Sequence, residues 1–505
     1  MRRRSALIVV LIGAAVWAVI APAGPTSAGA QSPIAATVGS TPVGQPLPPG
    51  FVGVSLEYSA LHLYTGRDPH AVNPVLVNLI AGLAAGDPPV IRIGGNSADA
   101  TWWPMRGVIP PGGVSYALTP GWLRTTRALA AALGARMIMD VNLAAGRPAL
   151  AAAEARAILR GIGRQYIQAF EVGNEPDLYN QFPWYRDRRR RVVHARSPGY
   201  DLGHFISDFS RWRAALPAVP LAGPAVAQLT WLAGLKQLIT AEPTLSIVTM
   251  HRYPLRAGVQ DPTSPLYPSV ANLLSDQASG VVAQTVAPYV AAAHAAGLPL
   301  RLDEMNSASH SGQAGLSNTF ASALWVLDTL FNMASVGVDG INVHSLPHAR
   351  YELFSFAHRR HRPWSAFVHP EYYGMLMFAE AFPSGAQLLP VTTPAGPVKV
   401  WATTAPGPIA SAVTSVTRVL LINKDVASPR QVTLQVPGAG STPASLEWLL
   451  APRVTATSGV TLGSRGFGAA TTTGTLAPAQ TQAISASGGA YSITLPPASA
   501  VLLTQ

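Results

Sequence analysis

The chain has 505 residues, 48% of them hydrophobic and 12% charged, with no cysteine and a formal net charge of +11. Such a length predicts two domains, and such a composition can bury a large core and excludes a disordered polymer. The absence of cysteine excludes disulfides, thiol catalysis and cysteine-ligated metals, so packing alone must hold the fold.

The first element is a leader. Arg2, Arg3 and Arg4 precede an apolar run from Ala6 to Ala21, closed by Pro22, and Ala28-Gly29-Ala30 has the small-x-small pattern of a cleavage site. Residues 1–30 read as a secretory signal cut near Ala30, which makes the expected protein secreted and without a stable membrane partner. An uncleaved anchor is the alternative, although the run is shorter than the ~20 residues that a spanning helix needs.

Residues 31–48 are rich in Pro, Gly and Thr and read as an extended lead-in, in which Ile34–Val38 is placed to add a strand to a C-terminal sandwich. From 49 to 385, short β-branched runs alternate with Ala/Leu-rich stretches. The strand candidates are Phe51–Tyr58, Val90–Gly94, Arg136–Asn142, Ile167–Val172, Pro220–Gly223, Ser246–His251, Leu300–Glu304 and Gly340–His344. Helical stretches include Trp122–Leu133, Ala149–Ile162, Ile206–Leu216, Trp231–Ala241, Val281–Ala296 and Thr319–Val336. This alternation predicts a (β/α)₈ TIM barrel, an open doubly wound sheet being the competing topology. Polar residues clustered just after the strand C-termini favour the barrel. Residues 386–505 turn to Thr, Ser, Pro, Gly and Val in short alternating runs, such as Val419–Asn423, Gln431–Val436 and Tyr491–Leu495, and predict an antiparallel β-sandwich.

Two acidic motifs carry the chemistry. Phe170-Glu-Val-Gly-Asn-Glu-Pro176 ends an apolar strand in Glu175, and Pro176 cannot continue a central strand. Pro299-Leu-Arg-Leu-Asp-Glu-Met-Asn-Ser307 ends another in Glu304. These are strands four and seven, so both carboxylates can face one cavity across the barrel mouth. Retaining glycoside hydrolysis needs one carboxylate as nucleophile and one as general acid/base, about 5–5.5 Å apart. The acid needs a raised pKa, which a negative neighbour supplies. A lone glutamate after a strand is weak evidence, whereas the two motifs 129 residues apart on alternating βα units are far more specific.

Asn-Glu ending strand four and Glu ending strand seven resemble the large clan of retaining barrel glycosidases. Arg92-Ile-Gly-Gly-Asn-Ser-Ala-Asp99, His251-Arg-Tyr-Pro254, Glu304-Met-Asn-Ser307, Tyr373-Gly-Met375 and the terminal Leu495-Pro-Pro-Ala-Ser-Ala resemble glycoside hydrolase family 79, the heparanase and β-glucuronidase family. The resemblance implies a β-glucuronidase-like retaining hydrolase with no cofactor and no metal. It implies that Glu175 is acid/base, Glu304 nucleophile, Asn174 a partner of the sugar 2-OH, and Tyr253 a holder of the nucleophile. It implies that Glu57 and Asn96 bind distal hydroxyls; a buried Glu57 paired with Arg92 and a turn role for Asn96 are the alternatives. His251 and His344 sit on strand ends and read as hydrogen-bonded site histidines in preference to metal ligands. Asp140 and Asp303 read as supporting or structural acids, and Trp102 and Trp103 as sugar-stacking or core residues.

Family members that bind glucuronate use a tyrosine and backbone N–H groups after strand eight. Tyr351 falls there, 47 residues after Glu304, with Arg350 beside it for charge-assisted bonding. The loop Ser307-Ala-Ser-His-Ser311 lacks the second tyrosine that some members have, with His310 as the candidate substitute. Two sugars therefore stay open, a uronoside and a neutral β-glucoside or β-xyloside, besides a catalytically silent carbohydrate-binding wall protein. The expected partner is a carbohydrate, including acidic polysaccharide. The basic runs Arg186-Asp-Arg-Arg-Arg-Arg191 and His358-Arg-Arg-His-Arg362 could attract such a polymer or be solvated loops, and neither interleaves aromatics as a nucleic-acid groove would.

Overall fold

The structure, a computed structural model, describes residues 32–358, 362–407, 415–440 and 443–505. The expected leader lies outside the described residues, as does the middle of the second basic run. No described helix is long and apolar enough to cross a membrane.

Eight parallel strands close into a barrel in chain order: Val52–Glu57, Val90–Gly94, Arg136–Val141, Ile167–Val172, Leu221–Val226, Leu245–Arg252, Leu300–Met305 and Gly340–Ser345. The eighth returns to the first with Ile341 opposite Val52, and closure settles the question of an open sheet. Helices between the strands start where local chemistry starts them. Thr119 accepts from the Trp122 N–H with Pro120 in the first turn, and Asn73 accepts from Val75 and Leu76 ahead of the helix Pro74–Ala84.

Alternation along the strands sorts the side chains into two sets. Ile91, Met137, Met139, Phe170, Leu221 and Val248 join the large apolar core against the helices. Their neighbours Val90, Ile138, Ala169, Ala222 and Ile247 form a separate small cluster, so they face the barrel interior. One step further along, the same inward face presents Arg92, Asp140, Glu171 and Thr249, all fully buried. The barrel is thus apolar at one level and charged at the next, toward the C-terminal ends of its strands.

Two sheets follow. One has the order Val391–Thr392, Ile34–Val38, Arg430–Gln435, Ala490–Leu495, and the other includes Gln387–Leu389, Val398–Pro406, Ser415–Asn423, Ser499–Thr504 and Ala444–Leu450. Ile34–Val38 runs parallel to Arg430–Gln435, an exception to the otherwise antiparallel pairing of these sheets. Alternation again divides the work. Val419 and Leu421 fill the core between the sheets, while Leu420 and Ile422 join the barrel's core. Trp401 stacks on Phe331 at 5.4 Å, and Lys424 pairs at 2.5 Å with the buried Asp328 of the helix Phe320–Ser335. The sandwich is therefore packed onto the barrel through both apolar and ionic contacts.

Candidate active site

Strand four ends at Val172 and the chain then turns through Gly173 at φ 82° and Glu175 at φ 49°. A Cβ on Gly173 would lie 2.6 Å from Leu143, and its positive φ is costly for any other residue. The turn leaves Glu175 beyond the strand, anchored by its N–H to the Ala225 carbonyl at 3.0 Å. Non-glycine residues with positive φ carry local strain and cluster at functional sites.

Glu304 stands inside strand seven. The pairing shifts register here against both neighbours, between Met250 and His251 on one side and between Leu302 and Met305 on the other. Such an irregularity re-aims side chains. It lets consecutive residues Asp303 and Glu304 both reach the buried interior, where Arg92 lies 3.2 Å from Asp303 and 2.7 Å from Glu304.

One oxygen of Glu175, one of Glu304 and one ring nitrogen of His251 all lie within 4.8 Å of one another. The two carboxylates have unlike surroundings. Glu304 accepts from Arg92 Nη1 at 2.7 Å and from the Tyr253 hydroxyl at 2.7 Å, with His344 Nδ1 at 3.7 Å. Burial would push its carboxyl up, but the charges of His344, His251 and Arg92 and the Tyr253 hydrogen bond prevail and hold it at about 2. Glu175 is more open, its side chain 20% exposed, with His251 Nδ1 at 3.0 Å from Oε1.

Arg92 is the hub that sequence reading treated only as a possible partner of Glu57. It contacts four buried carboxylates, Asp140, Glu171, Asp303 and Glu304, and also donates to Asn174 Oδ1 at 2.9 Å. Glu57 is instead held by the backbone N–H groups of Asn96 at 3.1 Å and Ser97 at 2.7 Å. Gly95, at φ 70°, turns those groups back toward it, and a Cβ there would meet Glu57 Oε1 at 2.5 Å. Burial raises the Glu57 carboxyl, against the opposing effects of His344 and Ser97. Asn174 Nδ2 donates to Asn96 Oδ1 at 3.2 Å, so strands one, two and four share one rim.

Tyr351 is buried, with ring centroids 6.2 Å from Tyr253 and 5.9 Å from His344. The structure therefore gathers Glu57, Asn96, Asn174, Glu175, Tyr253, Glu304, His344 and Tyr351 around one mouth. Arg350 is different: its side chain is exposed, and its backbone N–H donates to Ser311. His310 is exposed too, at φ 61°, with its ring edge toward Phe182 at 6.3 Å. Trp102 and Trp103 are half-buried, and Trp103 packs against the barrel core.

Two donor groups among the described residues could hold a metal ion: Glu171, His251 and Asp303, or Glu175, His251 and Glu304. In the first, Glu171 already accepts from Arg92 at 2.8 Å and from Thr249 at 2.5 Å. In the second, Arg92 and Tyr253 occupy Glu304. The guanidinium of Arg92 supplies positive charge to Glu171 and Asp303 in the first group and to Glu304 in the second.

Residues 409–502 match the glycosyl hydrolase family 79 C-terminal beta domain. The chain is 25% identical over 356 residues to a β-glucuronidase of Neurospora crassa, and the match spans 62% of this chain and 60% of that protein's length. Among solved structures it is similar to a 4-O-α-L-rhamnosyl-β-D-glucuronidase of Fusarium oxysporum, with TM-score 0.67 and 19% identity over 93% of this chain and 100% of that one. It is also similar to a GH51 arabinofuranosidase of Xanthomonas axonopodis, with TM-score 0.64 and 16% identity over 94% of this chain and 99% of that one. Structural likeness at these identities speaks to the fold alone. Residues 409–502 are thus similar to the C-terminal domain of glycoside hydrolase family 79, and the barrel has the fold of these glycosidase neighbours, in agreement with the resemblance read from its motifs.

Proposed function

We propose that the chain is a retaining β-glycosidase of β-glucuronidase type. The observation that carries this reading is the approach of Glu175 and Glu304 oxygens to within 4.8 Å. Double displacement uses carboxyls about 5–5.5 Å apart, whereas inversion leaves room for water at about 6.5–9.5 Å. In this reading Glu304, held ionised, attacks the anomeric carbon while Glu175 protonates the leaving oxygen. Glu175 then takes a proton from the water that releases the sugar from Glu304. Asn174 serves the 2-OH, Glu57 and Asn96 serve distal hydroxyls, and Tyr351, with nearby backbone N–H groups and His344, borders the substituent at C5.

The relative from Neurospora crassa supports glucuronate as the sugar. A neutral β-glycoside is the second reading, favoured by the exposed Arg350 side chain and the tyrosine-free loop at residues 307–311. We also propose residues 49–385 as the catalytic unit, residues 386–505 as its structural companion, and export through residues 1–30. Residues 186–191 follow strand four on the side of Glu175, and all five arginines are exposed, which supports guidance of an acidic polysaccharide.

The test is hydrolysis of paired aryl β-glucuronide and aryl β-glucoside by the wild-type protein, with Glu304→Gln as blank. Preference for the glucuronide is the expected result. Preference for the glucoside moves the assignment to the neutral sugar, and no hydrolysis of either removes the glucuronidase reading.

A further inference from the structure

His251 stands between the proposed acid/base and a buried acid. Its Nδ1 is 3.0 Å from Glu175 Oε1, and its Nε2 is 3.6 Å from Asp303 Oδ1. His251 Nε2 and Asp303 Oδ1 are buried without a hydrogen-bond partner, while Asp303 Oδ2 is ion-paired with Arg92 Nε at 3.2 Å. Unpaired polar atoms in such a place are costly, and here Nε2 and Oδ1 face each other.

We infer that Asp303 is a positioning residue that acts through His251 on Glu175, an inference that rests on the glycosidase reading above. Once the leaving group has taken its proton, Glu175 is a carboxylate. A lone pair on Nδ1 at 3.0 Å would repel it, so that nitrogen must carry hydrogen. Nε2 then either accepts from a protonated Asp303 or donates to an ionised one. In both cases one proton lies between Nε2 and Asp303, and the ring keeps Nδ1–H on Glu175 Oε1. The catalytic proton is thereby confined to the other oxygen of Glu175, where it can meet the leaving group. No proton passes along the chain and the device is balanced through the cycle: His251 gives nothing up, and Glu175 alone exchanges with leaving group and water.

The charged groups around Asp303 fit this arrangement. Arg92 comes from strand two, Asp140 from strand three, Glu171 from strand four, His251 from strand six and Glu304 from the same strand. Arg92 and hydrogen bonds from Asp303 and Asp140 hold Glu171 ionised against the effect of burial, which leaves Asp303 and Asp140 as the members able to carry a proton, and of these Asp303 is the one beside His251. Burial and the Glu171 charge both push the Asp303 carboxyl up. Around Glu175 the titratable neighbours include His251, Glu304, Asp177, His310, Tyr253 and Tyr351.

The test compares kcat/KM for two aryl glycosides of one sugar, with phenol and with dinitrophenol as leaving group, in wild type, Asp303→Asn, His251→Phe, the double variant and Glu175→Ala. General acid catalysis is worth about 10²–10⁴-fold where the leaving group needs a proton. Asp303→Asn is expected to lower the phenyl reaction by about 10–100-fold and the dinitrophenyl reaction by less than about threefold, a share of that range. Added to His251→Phe, it should change neither ratio. Equal losses on both substrates, or additive losses in the double variant, would overturn the inference and mark Asp303 as a support for Arg92 and Glu304. Glu175→Ala separates the two levels: without a leaving-group-dependent loss there, the acid/base reading itself fails. Should Asp303→Asn fold poorly, ¹⁵N NMR of histidine in the intact wild type decides. Hydrogen on His251 Nδ1 across the active pH range supports the inference, and an unprotonated Nδ1 overturns it.

Discussion

The ends of strands four and seven offer the same residue in opposite settings. Glu304 lies within its strand, is gripped by Arg92 and Tyr253, and has a side chain only 10% exposed. Glu175 lies past its strand on a left-handed residue, with twice that exposure and one ring nitrogen as side-chain partner. The contrast teaches that role follows environment. A carboxylate surrounded by cationic and O–H donors stays ionised and fixed, as a nucleophile must. One on an open turn can exchange protons with a leaving group and with water.

The largest way to break this comparison is to remove each carboxyl in turn. Glu304→Gln is expected to abolish turnover of every aryl glycoside, while azide restores Glu304→Gly through an α-glycosyl azide. Glu175→Gln is expected to lose about 10²–10⁴-fold on poor leaving groups and to give the β-azide. Product analysis checks both, and exchanged azide anomers would exchange the roles.

The comparison is sharpened by Tyr253→Phe, which strips one donor from Glu304. A charge-assisted hydrogen bond is worth about 1.5–3 kcal/mol, so kcat/KM should fall by roughly 10–100-fold. Glu304 is depressed to about 2, so it remains ionised until pH falls near that value. Its contribution to stability is present above the ordinary carboxylate value of 4.5 and is lost as pH falls through about 2. Losing the Tyr253 donor moves that loss, and any acid limb of kcat/KM set by Glu304, toward higher pH. An acid limb that stays put would detach Tyr253 from Glu304.

Much of this was legible. Apolar runs broken by Ala-rich stretches marked the barrel, and the Asn-Glu-Pro and Asp-Glu-Met-Asn sequences marked the two carboxylates. Arg92 was less so. An arginine in a β-branched strand announces an inward charge, but its partners come from strands three, four and seven, which only closure of the barrel brings together. The same holds for Glu57, whose partners are backbone groups turned by Gly95. The register shift that turns both Asp303 and Glu304 inward has no local signature, and the parallel pairing of Ile34 with Val432 joins segments from opposite ends of the chain.

Smaller effects probe the surroundings. In the exposed loop after strand four, changing Arg188, Arg189 and Arg190 to Ser should weaken hydrolysis of an acidic polymer several-fold and leave a small aryl glycoside unchanged. Added salt should mimic this, because exposed charges about a Debye length apart are screened. Equal effects on both substrates would remove the loop from substrate capture. The smallest expected change is at Glu154, fully buried with Oε1 unpartnered and its carboxyl raised well above the ordinary value by burial. Its folded form holds a proton that the unfolded form releases above about 4.5, so stability declines as pH rises through that interval. Glu154→Gln should raise Tm by roughly 1–3 °C at pH 8 and by less at pH 5, read by thermal unfolding.

The most direct measurement of the central claim is ¹H NMR of the first sugar released from an aryl β-glucuronide, before mutarotation. The account predicts that β-glucuronic acid appears first, because Glu304 and Glu175 are close enough for double displacement. First appearance of the α-anomer would mean single displacement by water and would contradict the assignment of Glu304 as nucleophile.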